Sequence, residues 1–64
     1  MLNFYITIEG KIESEELYKA LECYNVNMLD MGYQTVINGC VSDHSLLRII
    51  VLCRKYGKLE VTID

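Results

Sequence analysis

Residues Tyr33 to Gly57 read YQTVINGCVSDHSLLRIIVLCRKYG, and this stretch decides the fold. A strand pattern closes on Asn38-Gly39-Cys40-Val41, and Ser42-Asp43 then opens a strongly apolar helix. Asp43 is the expected N-cap, because a short acidic side chain can accept from the free amides of a first helical turn. Gly57 is the expected residue just past the helix end, after Tyr56. Within the helix, Leu47, Ile50, Val51 and Arg54 lie along one line and Leu46, Ile49 and Cys53 along the next. Ser45, Arg48, Leu52 and Lys55 form the line expected to point outward. A helix this apolar either lies under other elements or meets another chain. Leu59, Val61 and Ile63 then alternate with polar residues, which predicts a closing strand with those three inward.

Upstream, Asn25 to Val41 reads as a hairpin centred on Met31-Gly32, since glycine supplies the positive φ of a tight turn. That turn pairs Asp30 with Tyr33, Met28 with Thr35 and Val26 with Ile37. At the start of the chain, Phe4, Ile6 and Ile8 alternate with Tyr5, Thr7 and Glu9 as a half-buried strand does, and Gly10 ends the pattern. Ser14 is placed to cap a helix over residues 14–24, with Glu15 and Glu16 favoured by the helix dipole and Leu17, Ala20, Leu21 and Tyr24 at helical spacing. The predicted order is βαββαβ, an α+β ferredoxin-like domain spanning residues 1–64. Right-handed crossovers put both helices on one face of a four-stranded antiparallel sheet of order 4-1-3-2. Its open face presents Tyr5, Thr7, Val36, Asn38 and Cys40.

Sixty-four residues allow one core, and a chain this short buries only ~60 % of the surface its unfolded form exposes. Hydrophobic residues are 52 % of the chain, so part of the apolar surface is expected outside, where self-association is the simplest cover. The net charge of −3 argues against DNA, RNA and anionic membrane as partners. Arg48, Arg54, Lys55 and Lys58 are the nearest approach to a basic cluster, and a solvated helix face explains them. The three cysteines form neither a CxxC nor an even disulfide set, and the chain opens on a strand pattern rather than a signal segment, so a cytoplasmic setting is expected.

From Thr35 to Asp43, and again at Leu47, Ile50 and Gly57 to Ile63, the sequence resembles a group of small uncharacterised prokaryotic ferredoxin-like proteins. Their second half reads T-V-L-x-G-x-V-x-D, a Leu-rich helix, then L-G and an apolar strand. The resemblance covers about half the chain and departs at Ile49, where a small residue is usual. It implies the βαββαβ body and carries no activity. Gly39-x-Val41 with its helix and V-x-I strand also looks like half of a BON domain, although such domains are exported and this chain has an extra first strand and an acidic balance.

Cys40 and His44 flank the strand-to-helix junction and are zinc-ligand types, but only Cys23 and Cys53 could complete four ligands, and both are expected to pack inward. As a nucleophile pair they lack a nameable orienting group or oxyanion donor. Tyr5 is the only aromatic on the open face, too little for base stacking. An acylphosphatase-like anion loop would need an arginine after the first strand, and a metallochaperone would need CxxC there. Gly10 and Gly39 suggest a small-molecule regulatory module of the ACT type, with a ligand near Gly10 and Lys11; this is the alternative reading.

The leading expectation is a non-enzymatic protein that forms a homodimer or docks on a protein partner, with no cofactor, no metal, no nucleic acid and no membrane. Leu46, Ile49 and Leu52 on the helix and Tyr5, Val36 and Cys40 on the sheet are the expected contact residues.

Overall fold

The computed structural model describes residues 1–64. Strand β1 (Leu2–Glu9) leads through Gly10 to helix α1 (Glu15–Cys23), followed by β2 (Asn27–Asp30) and β3 (Gln34–Val41). Helix α2 (Asp43–Cys53) tightens into a single 3-10 turn over Arg54–Tyr56 before β4 (Leu59–Ile63). The four strands form one antiparallel sheet in the order β2-β3-β1-β4, which is the predicted βαββαβ topology. No helix is long and apolar enough to cross a membrane.

Alternation puts Phe4, Ile6 and Ile8 of β1 and Ile37 and Val41 of β3 on the helix side, where they are buried. Leu17 and Leu21 reach them from α1, and Leu46, Ile49 and Cys53 from α2, with Ile12 closing the end near Gly10. Thr35 is the one buried polar residue, and its hydroxyl donates to the Gly10 carbonyl at 3.2 Å, so its burial carries no unpaired donor. Gly10 also donates its amide to the Tyr33 carbonyl at 2.8 Å. These two bonds stitch the β1–α1 turn to the β2–β3 hairpin.

Ser14 caps α1 as expected, its hydroxyl accepting from the Leu17 amide at 3.2 Å. The same hydroxyl lies 3.1 Å from the Tyr56 hydroxyl, which joins the start of α1 to the end of the α2 segment. At the other end of α1, Asn25 has φ of 57°. Asparagine tolerates that left-handed conformation and stops the helix where no glycine is present.

Two local expectations are corrected. Ser42, not Asp43, is the N-cap of α2: its Oγ accepts from the Ser45 amide at 3.2 Å. Asp43 is the first helical residue, and its carboxylate accepts from the adjacent His44 amide at 2.9 Å. The hairpin is also shifted. Met31 donates to the Gln34 carbonyl, so the two turn residues are Gly32 and Tyr33 rather than Met31 and Gly32. Glycine thus occupies the first turn position with φ of 87°, and Asp30 Oδ1 accepts from its amide at 2.8 Å. Asp30 pairs with Thr35 and Met28 with Ile37, each partner two residues beyond the expected one. A shift of two leaves every side chain on its predicted face, whereas a shift of one would have inverted the strand.

Candidate functional site

The topology decides which apolar residues stay outside. Helix α2 links β3 to β4 across β1, so it lies over β1 and toward β4, running back against the direction of β4. Its Leu46, Ile49 and Cys53 face the sheet and are buried. One flank further round, Leu47 and Val51 are 61 % and 58 % exposed. Ile50 and Arg54 share that flank and look down on β4, where an open groove is lined by Ile50, Arg54, Gly57, Lys58, Leu59 and Val61.

Beyond the groove, β4 is an edge strand bonded only to β1. Leu59, Val61 and Ile63 point to the helix side, as their pairing with Ile8, Ile6 and Phe4 requires. They were expected to be inward, yet Ile63 is 53 % exposed and Val61 is exposed too. The reason is geometric: two helices cover the central strands, and α2 does not extend past the outer edge of β4. Because α2 starts at the end of β3, Leu47 lies toward the Ile63 end and Arg54 toward the Leu59 end. Leu47 and Val51 open on a depression that they share with Tyr24, Arg48 and Leu52, while Val61 and Ile63 lie exposed on β4 across the Ile50–Leu59 groove, so the apolar strip made by these four crosses the outer side of α2 and does not follow the sheet edge throughout.

Several expected contact residues lie elsewhere. Leu46 and Ile49 are core residues with no free surface, which removes them from any interface. Leu52 and Ser45 are half-buried on the flank toward α1, and Leu52 shares a surface depression with Tyr24 at the end of α1 and with Leu47, Arg48 and Val51. Of the line expected to point outward, Arg48 and Lys55 are exposed, whereas Ser45 and Leu52 turn toward α1. Val36 does lie on the open face, opposite Thr7 and Leu29, yet it is only 1 % exposed. A short branched side chain in a central strand is enclosed by its longer neighbours, and Gln34 and Asn38 flank it along β3. Tyr5 and Cys40 are exposed on that face as expected, and Asn27 Nδ2 donates to Asn38 Oδ1 at 3.3 Å beside Tyr5.

The open face is polar toward β4. A shallow depression of about 280 Å³ there is lined by Thr7, Glu9, Gln34, Lys58 and Glu60, with no apolar wall to hold a small molecule. Near Gly10, both backbone groups are already bonded, and Lys11 sits exposed, 3.6 Å from Glu13 and 3.9 Å from Asp30. Gly10 has φ of 93°, so its glycine serves the turn. Gly39 serves packing: a Cβ there would meet Val26 Cγ1 at 2.8 Å.

Among the thiols, Cys53 is buried in the core, and burial pushes its pKa up to about 11. Cys23 was expected to pack inward and is exposed instead, on the outer side of the last turn of α1. His44 is exposed at the start of α2. No three His, Cys, Asp or Glu side chains converge in a metal-binding arrangement. No family model, curated protein or solved structure matches the chain.

Proposed function

We propose that this chain is a non-enzymatic, cytoplasmic protein-interaction module of the small prokaryotic ferredoxin-like kind, and that it makes contact through the α2–β4 strip. The observation that carries this reading is the exposure of Leu47 and Val51 on α2 and of Val61 and Ile63 on β4, with the Ile50–Leu59 groove between the two elements. Isolated apolar residues on a surface are ordinary, and four of them exposed on two adjoining elements of so small a body support a contact there. A specific interface takes about 800 Å² from each partner, roughly a fifth of this chain's 4438 Å². The strip with its flanking groove is the part of the surface that can contribute a large apolar share of it. Arg54 and Lys58 border it as a polar rim does.

The test is a paired substitution read by native mass spectrometry and sedimentation. Leu47→Glu and Val51→Glu both lie on exposed positions, so the monomer fold should survive them. Each is expected to abolish self-association or copurification of a partner, while Leu29→Glu, an equally exposed site on the opposite face, leaves it intact. Association that persists in both strip variants would show that the contact lies elsewhere.

A further inference from the structure

The partner that best fits the strip can be read from the β4 backbone. Asp64 donates its amide to the Asn3 carbonyl at 2.9 Å, toward β1. Amide directions alternate along a strand, so Thr62 and Glu60 also turn theirs to β1, while Leu59, Val61 and Ile63 turn theirs to the free edge. The free edge thus offers three amides and three carbonyls, spaced for another strand.

Charge decides which strand. We infer that β4 pairs antiparallel with β4 of a second copy, Val61 opposite the partner's Val61, which joins two sheets into one of eight strands; this rests on the contact reading above. In that register Leu59 faces the partner's Ile63, and each outward amide meets an outward carbonyl. Glu60 falls opposite the partner's Thr62, and Lys58 opposite the partner's Asp64. The latter are pairs without hydrogen bonds between their backbones, in which side chains come closest. The neighbouring registers are penalised. Moving the twofold by one residue toward the start of β4, a two-residue slide between the strands, sets Glu60 against the partner's Glu60, and moving it by one toward the end sets Glu60 against the partner's Asp64. A twofold contact must be self-complementary, and in this register the apolar residues Leu59, Val61 and Ile63 meet one another while Lys58 and Asp64 complement each other at the two ends. On the helix side, the same pairing brings together the exposed Val61 and Ile63 of both copies next to the two Ile50–Leu59 grooves.

Two experiments test this. Amide hydrogen exchange on the unmodified protein over a concentration series should show Leu59, Val61 and Ile63 gaining protection as the dimer forms, with Glu60 and Thr62 protected throughout. In sedimentation equilibrium at low salt, Lys58→Glu and Asp64→Lys should each weaken the dimer roughly five-fold or more, because two pairs turn from attraction to repulsion. The double variant should return to within about two-fold of the original. Lys58 and Asp64 of one chain are ~20 Å apart along the strand, so such a rescue can only act between copies. A dimer whose Leu59, Val61 and Ile63 amides exchange freely would overturn the strand pairing and leave the strip as the contact. A double variant weaker than either single one would overturn the register. A monomer at every concentration would overturn the second copy as occupant.

Discussion

Gly39 offers the most direct test of how closely the sheet and its connections fit. It sits within β3 on the helix side, opposite Phe4, in ordinary strand conformation rather than at positive φ. Replacing it with alanine places a Cβ 2.8 Å from Val26 Cγ1, 3.2 Å from Val26 Cβ and 3.4 Å from Val26 Cα. Carbon atoms are at their best near 3.5–4.0 Å, so the first contact overlaps by roughly 1 Å. Rotating Val26 does not relieve it, because a β-branched side chain has few allowed rotamers and its Cβ is itself too near. The backbone entering β2 must therefore move, against the Asn27–Asn38 pair that anchors it. Overpacking of this kind costs about 1–3 kcal/mol, and alanine regains about 0.5–1 kcal/mol over glycine in an extended strand. The expected net loss is about 1–2 kcal/mol, or a Tm lower by roughly 5–15 °C for a domain of this size. Thermal melts at one fixed protein concentration, with Val26→Ala and the double variant, complete the cycle. With the Val26 methyls gone the 2.8 Å overlap disappears and the 3.2 Å approach to the Cβ remains, so Gly39→Ala should cost clearly less in that background. An undiminished cost in that background would refute the steric account, as would a neutral Gly39→Ala alone.

Ser42→Ala should destabilise the protein by about 1 kcal/mol through loss of the α2 cap, and Asp43→Ala by less, as urea midpoints would show. The Cys53 thiol is held neutral in the fold, so its share of stability is complete below its ordinary pKa of 9.0 and is lost as pH rises toward about 11. The stability difference between the original protein and Cys53→Ala should then shrink by about 2–3 kcal/mol across that interval. At neutral pH, Cys23 and Cys40 should react with a thiol reagent well before Cys53, which must await opening of the core.

The architecture was legible because it rests on periodicity and punctuation. Alternation in β1 and β3, the helical lines of α2, and the stops at Gly10 and Gly57 depend on neighbouring residues, and so does strand order once crossovers are right-handed. The hairpin shift was not legible. Both placements put glycine in the turn and the same residues on each face, and the choice lay with the Asp30 carboxylate on the Gly32 amide. The exposed apolar surface was half legible. An excess of apolar residues on α2 is visible in the sequence, but which flank stays open depends on where α2 rests above the sheet. Leu52 is half-buried on the side of Tyr24, and Leu47 and Val51, which line the same depression, stay exposed because no element covers the outer side of α2. Exposure of Val61 and Ile63 has the same origin. Alternation names the face of a residue and cannot say whether anything covers it.

Asn38 is followed by Gly39, the dipeptide most prone to lose its amide nitrogen through a cyclic imide. That reaction needs the Gly39 nitrogen to swing onto the Asn38 carboxamide carbon. Here Asn38 is paired with Tyr5 on one side and Asn27 on the other, Gly39 is paired with Phe4, and the Asn38 side chain accepts from Asn27. The ladder holds nitrogen and carbon apart, so the chemistry can proceed only while β3 is open. Conversion at Asn38 thereby records cumulative time spent unfolded, and it leaves a negative charge beside Tyr5 in every molecule that has lingered there. A slow chemical clock is built into the centre of the sheet, stopped for as long as the sheet holds.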